Sequence, residues 1–206
     1  MLLSAHQLSC VRQDRVLFEQ LDLQLHAGEV LQIAGKNGAG KSSLLRLLAG
    51  LAEPDDGDIR YQQVPLLQSA DDYAENLCFI GHLAGVQPQL TALENLAFWR
   101  ACFALTPADD WALLAQLGLA GLEDIPCQQL SAGQQRRVSL ARLWLTTAQI
   151  WILDEPFTAL DQSAIAALTR RIATHCETGG AVLLTSHQPV QVPGHPVRQF
   201  MLEYRW

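Results

Sequence analysis

The sequence predicts an α/β fold organised around a mainly parallel sheet, and three runs of residues carry that prediction. Val30–Ala34 is rich in β-formers and stops at Gly35, after which residues 41–49 read as a helix closed by Gly50. Ile150–Leu153 is apolar at every position and ends in Asp154, Glu155 and Pro156. Ala181–Thr185 is apolar through Leu184 and runs into Ser186 and His187. Strands apolar on both faces belong in the middle of a parallel sheet covered by helices.

The remaining elements follow in chain order. The first 28 residues, with the β-rich run 21–25 and a turn at Gly28, predict a small antiparallel sheet packed ahead of the main one. Thr91 and Glu94 form a capping box that opens a helix, and Thr106-Pro107 with Asp109 opens another. Residues 83–130 read as wholly helical, an insert inside the α/β core. Ser131 then sits near the N-terminus of a helix over residues 135–142. With no repeat or low-complexity segment, the chain reads as one domain over residues 1–206, with a core of 1–82 and 138–206 and a helical part at about 83–137.

Composition narrows the function classes. Of the 206 residues 49% are apolar and 17% charged, which excludes a disordered linker. Fourteen Lys+Arg against 21 Asp+Glu, a net charge of -7, argue against binding that sheathes a nucleic acid in basic side chains. No apolar run reaches the ~20 residues that span a bilayer, so the chain is expected in the cytosol with no span of its own. The five cysteines show no C-x-x-C pair and read as buried thiols, and His6, His26, His175 and His195 read as structural or solvated. Both lysines, Lys36 and Lys41, fall in one glycine-rich segment.

That segment, Gly35-Lys36-Asn37-Gly38-Ala39-Gly40-Lys41-Ser42, fits the phosphate-binding pattern G-x-x-x-x-G-K-S/T. Its glycines let backbone N–H groups turn inward around phosphate oxygens, and the following helix adds the positive end of its dipole. Lys41 reaches the β- and γ-phosphates and Ser42 ligates Mg²⁺. Kinases, GTPases and transport ATPases share this loop, so other residues decide the reaction. Asp154, at the end of an apolar strand, is placed to hold Mg²⁺ through water, and two adjacent acids there are costly unless a cation or a reacting water uses them. His187 ends a third strand at the same sheet edge, where ligands of open α/β sheets bind. Ser131 and the Gly133 amide at a helix N-terminus form a second anion site. One nucleotide does not need two cradles, so the economical arrangement is a head-to-tail dimer in which this site closes on the γ-phosphate held by the other subunit.

The ordered set GKNGAGKS, LSAGQ, ILDEP, Ala159-Leu-Asp161 and Ser186-His187 resembles the nucleotide-binding subunit of ABC transporters over essentially the whole chain. The resemblance implies a P-loop NTPase with a RecA-like core and a helical ABC subdomain, with ATP and Mg²⁺ as cofactors. It implies residues 35–43, through Ser43, around the phosphates, and Ser42 and Asp154 on the metal. Glu155 becomes general base or water-positioning acid, and His187 the γ-phosphate contact. Ser131, Gly133 and Gln134 are implied for the opposite nucleotide, and Asp161 for communication across the dimer. Three positions depart from the pattern. His82 stands where a glutamine is usual, in contact with the metal shell or attacking water; Ala132 replaces a glycine; and the adenine-stacking aromatic is missing, leaving Val11 or Arg12, with Phe18 the nearest ring.

Further stretches, among them Ile80-Gly-His82, residues 90–96, 118–126, 129–137 and 151–158, are similar to the CcmA-type ATPases of bacterial cytochrome c maturation. That similarity implies integral membrane partners of the CcmB and CcmC types and a place on the cytoplasmic face of the inner membrane. It implies ATP hydrolysis coupled to haem export or to release of a haem-loaded chaperone. Segments 83–86 and 96–99 are candidates for the groove that receives partner helices. A soluble ABC-type remodelling factor and a small-metabolite P-loop kinase are the competing readings. Against the first, such factors usually carry two cassettes, long coiled-coil insertions or basic arms, which this acidic single cassette does not show; the second makes LSAGQ accidental.

Overall fold

The computed structural model describes residues 1–103 and 109–203. In chain order its elements are β1 (Leu3–Arg12), β2 (Arg15–Leu25), β3 (Val30–Ala34), α1 (Lys41–Leu48), β4 (Asp56–Tyr61), β5 (Val64–Pro65), α2 (Ala70–Glu75) and β6 (Leu77–Ile80). They continue with α3 (Ala92–Cys102), α4 (Asp110–Gln116), α5 (Ala132–Leu140), α6 (Arg142–Leu145), β7 (Ile150–Leu153), α7 (Gln162–Glu177), β8 (Ala181–Thr185) and β9 (Val197–Met201).

The strands form two sheets, an antiparallel one in the order β2-β1-β4-β5 and a parallel one in the order β6-β7-β8-β3-β9. The expected antiparallel sheet is therefore present, but half of it comes from beyond residue 28. β1 turns into β2 through Gln13 and Asp14, both at positive φ as a tight hairpin requires, and takes β4 on its other edge, pairing Leu3 with Tyr61. In the parallel sheet β7 and β8 are buried at every residue, as their unbroken apolar runs foretell. The edge strands β6 and β9 alternate or face solvent.

α1 begins at Gly40, in the left-handed conformation, and ends through Ala49 to Gly50, whose φ of 69° is the usual glycine stop. Leu44, Leu45, Leu47 and Leu48 bury one face of it against the sheets. Truncating one of these leucines to alanine costs about 2–5 kcal/mol. A second apolar cluster fills the other face of the parallel sheet, where Trp151 and Leu184 meet Leu168 and Ile172 of α7. A third lies among α3, α4 and α5, around Leu96, Trp99, Leu114 and Val138.

Residues 83–130 are not wholly helical. α3 and α4 are separate short helices, and residues 83–91 and 117–126 run as loops and turns. Gly118 and Gly121 take positive φ, and Pro88 stands in the loop before α3 and Pro126 in the one after α4. The loop before α3 is held by Asn95, which is fully buried. Its amide donates to the carbonyls of Gln87 (3.1 Å) and Thr91 (2.9 Å), and its oxygen accepts from Gln87 N at 2.8 Å. The Thr91–Glu94 capping box closes in both directions. Thr106 and Pro107 lie outside the described residues; α4 is capped by Asp109, whose Oδ1 accepts from Ala112 N at 3.0 Å. The helix expected over 135–142 is divided at Ala141 between α5 and α6.

Candidate active site

β3, β7 and β8 end in register, with Ile33 beside Thr185 and Leu153 beside Leu184, so the loops that follow them meet at one edge. The loop after β3 is tightly seated. At Gly35 an added Cβ would lie 2.5 Å from the Leu202 carbonyl oxygen, and at Gly40 it would press on Leu17 at 3.1 Å with φ at 98°. No side chain fits the first position, and the second also requires a conformation that other residues avoid. Lys41 Nζ donates back into this loop, to Gly35 O at 2.7 Å and Lys36 O at 3.3 Å. Its ammonium is thereby held over the turn.

A cavity of about 450 Å³ opens at this edge, and ten of the expected site residues line it. They are Asn37, Gly38, Gly40, Lys41, Ser42 and Ser43 from the loop, with His82, Asp154, Glu155 and His187 from the other strand ends. Gly35 and Lys36 shape the loop without lining the cavity, and Ala39 is buried beneath it. Phe18 is buried too, close under Gly40, so it supports the loop from below. Val11 N and Arg12 both bond Asp55, with Val11 N to Oδ2 at 2.7 Å.

The two acids are held differently. Asp154 is 5% exposed, and its Oδ1 accepts the Thr185 hydroxyl proton at 2.7 Å. Glu155 donates its backbone N–H to the same Thr185 oxygen at 2.8 Å and has a φ of 48°, left-handed and strained for a non-glycine residue. Its side chain is free of such ties: Oε1 is buried with no hydrogen-bond partner, and His187 Nε2 lies 3.6 Å from it. A buried unbonded carboxylate oxygen is costly.

Three supporting residues escape a motif-based reading. Thr185 bridges both acids as described. Gln32, 2% exposed in the middle of β3, donates to Gln188 O at 2.9 Å and accepts from Val190 N at 3.2 Å, pinning the loop that carries His187. Arg136 donates to the carbonyls of Gly81, Asp154 and Glu155. A glutamine inside an otherwise apolar strand was the available signal for Gln32; the other two carry none that stands out locally.

Ser131, Gly133, Gln134 and Asp161 do not enter the cavity. Ser131 caps α5 in a closed box with Gln134, and it is exposed. Gly133 abuts the following loop so closely that a Cβ would lie 2.5 Å from the Ala159 carbonyl oxygen. Asp161 caps α7 and receives Arg137 Nη2 at 2.6 Å. The amide of Ala164, the Ser163 hydroxyl and Arg137 hold its carboxyl below the usual range.

A phosphate-binding loop, an acidic strand end and a histidine strand end around one cavity, with a serine-capped helix beside them, define a cassette, and the sequence profile of the ABC transporter family matches residues 18–158. The chain belongs to that family and is an ATP-binding subunit. The cytochrome c biogenesis ATP-binding export protein CcmA of Escherichia coli (strain K12) is 54% identical over 201 residues, 98% of this chain and 96% of that protein. At that likeness the chain stands with the CcmA proteins inside the family. Among solved structures, one described as the ATP-binding subunit of an ABC transporter is 27% identical, with a TM-score of 0.81 over 91% of this chain and 80% of that one. The ATP-binding cassette MJ0796, solved as a post-hydrolysis dimer bound to ADP and Pi, shares the fold at 21% identity and a TM-score of 0.76, over 90% of this chain and 88% of that one. No helix among the described residues is long and apolar enough to cross a membrane.

Proposed function

We propose that the chain hydrolyses ATP as the energising subunit of a cytochrome c biogenesis ABC exporter. The observation that carries the hydrolytic reading is the buried, unbonded Glu155 Oε1 at the wall of the cavity that also holds Lys41, Ser42 and Asp154. In this reading Lys41 and the loop amides bind the β- and γ-phosphates. Ser42 and Asp154 would hold Mg²⁺, which when bound would neutralise charge on the phosphate oxygens. Hard oxygen donors fit that ion, and no group of three or more His, Cys, Asp or Glu among the described residues could hold a metal alone, so phosphate and water complete the set. His82 would face the water of that shell or the attacking water, since magnesium takes oxygen ligands. Glu155 orients the attacking water and takes its proton, and His187 donates to the γ-phosphate.

Two copies pair head to tail, so that Ser131, Gly133 and Gln134 of one close on the nucleotide of the other and Asp161 carries the signal between sites. Support comes from their place outside the Lys41 cavity, with Ser131 and Asp161 exposed, and from the likeness to a cassette solved as a dimer. The whole chain forms one ABC domain, with its helical subdomain at about 83–137 holding most of the third apolar cluster, which Val138 and Ala141 extend into the core.

The partners are integral membrane subunits of the CcmB and CcmC types, met on the cytoplasmic face of the bacterial inner membrane. Of the segments considered for the docking groove, Leu96 and Trp99 are core residues, which leaves Leu83 and Phe98 at the surface. An apolar groove of about 720 Å³ beside Leu51, Leu67 and Phe103 suits a partner helix better, because Leu67 is 90% exposed and Phe103 61%. Assembling the chain with its membrane subunits and identifying the molecule released per ATP tests the reading. Haem in the released fraction supports export, and a haem-loaded chaperone supports release. ATP turnover coupled to neither overturns the cytochrome c assignment, and a phosphorylated metabolite overturns the ATPase.

A further inference from the structure

Arg136 is a buried cation, 6% exposed, in the second turn of the helix that Ser131 caps. Its Nη1 donates to Gly81 O at 2.8 Å, and its Nη2 donates to Asp154 O at 2.6 Å and Glu155 O at 3.0 Å, while Nε is buried without a partner. All three acceptors are backbone carbonyls. Burial depresses the guanidinium pKa, and the nearby charges of Asp154 and Glu155 work against that. An apolar side chain would fill this place without the cost of stripping water from a cation. The arginine supplies the orientation of three carbonyls.

Those carbonyls belong to the residue before His82 and to both acids at the end of β7. The Glu155 backbone sits at φ 48°, with its N–H held by Thr185 and its carbonyl by Arg136. Between them the two bonds set the direction of a carboxylate that has no fixing bond of its own. We infer that Arg136 is a positioning residue that ties the placement of the Ser131-bearing helix to Glu155 and His82 through three carbonyl bonds. A small shift of α5 then reaches the water-activating acid directly. This rests on the ATPase reading.

The test uses the full chain with Arg136→Lys, Arg136→Gln and Arg136→Ala, following ATP turnover, melting temperature and equilibrium binding of a fluorescent ATP analogue. The lysine carries its three donors on a single nitrogen and lacks the planar fork whose two nitrogens reach Gly81 on one side and both acids on the other, while the glutamine keeps the site occupied and guards against a variant that fails to fold. In the folded variants kcat should fall on the order of 10- to 100-fold with binding within about threefold of wild type, the split expected of misplacement rather than lost binding. Guanidinium ion at concentrations well below denaturing should raise turnover of Arg136→Ala and leave Lys41→Ala inactive. Folded variants that turn over like wild type would overturn the inference, as would matched losses of binding and turnover with no response to guanidinium. Wild-type chain without ATP turnover would instead overturn the ATPase reading beneath it.

Discussion

His187 Nε2 lies 3.6 Å from Glu155 Oε1, beyond hydrogen-bond reach, at the wall of one cavity. Glu155 comes from the end of β7 and His187 from the end of β8, and the two strands lie side by side in the parallel sheet. The gap leaves the carboxylate oxygen free to accept from a water, which is what a general base needs before the reaction.

Glu155→Gln should therefore lower ATP turnover by about 10²- to 10⁴-fold, the usual worth of a positioned general base. Nucleotide should still bind, because the loop contacts are untouched. With ATP at saturation the variant should sediment as a dimer. A monomer under those conditions would remove the paired-site arrangement.

Lys41→Ala removes the ammonium that bonds Gly35 O at 2.7 Å and faces the phosphate cradle. ATP affinity should fall by at least about tenfold, since a charge-assisted bond contributes roughly 1.5–3 kcal/mol. Isothermal titration with ATP checks it, and affinity equal to wild type would contradict the assigned contact.

His175 stacks on Trp151 with ring centroids 3.7 Å apart and is buried, and Arg171 approaches the same tryptophan. Burial, reinforced by the Arg171 charge, pushes its pKa down to about 4 from 6.5. The unfolded chain then takes up a proton that the folded chain refuses, so stability is highest above pH 6.5 and declines as the pH falls toward 4. His175→Phe should flatten the melting-temperature profile across that window; an unchanged slope would place the titration elsewhere.

The depressed carboxyl of Asp161 has the corresponding sign. Its contribution is fully present above the ordinary value of 3.8 and is lost as the pH falls through the lower folded value. Thermal melts of wild type and Asp161→Ala should differ at neutral pH, begin to approach each other below pH 3.8 and meet once the pH is below the lower folded value. A gap that persists in acid would argue that the cap acts without its charge.

Asn95→Ala deletes a fully buried amide and takes the acceptor from Gln87 N, while the carbonyls of Gln87 and Thr91 keep the backbone N–H groups of Leu90 and residue 95. A loss of about 1–3 kcal/mol is expected from urea denaturation, because several hydrogen bonds of a buried amide are lost at once and its place is left empty. A loss below about 0.5 kcal/mol, the range of ordinary surface changes, would show that the 83–91 loop is held by other contacts.

What could be read along the chain was local. β3, β7 and β8 lie where their apolar runs end, because a strand buried on both faces needs no knowledge of its neighbours to be recognised. The glycine loop, the Thr91 box and the stop at Gly50 follow from backbone chemistry within a few residues. The edge strands, the β1–β4 pairing and the loops between α3 and α5 were not legible, since each depends on partners distant in sequence. The same holds inside the site. Motifs named the residues that face the cavity, but Gln32, Arg136 and Thr185 act through contacts with backbone and side chains at other strand ends. Such contacts exist only once packing has brought those ends together, so folding in three dimensions alone assigned these three their partners.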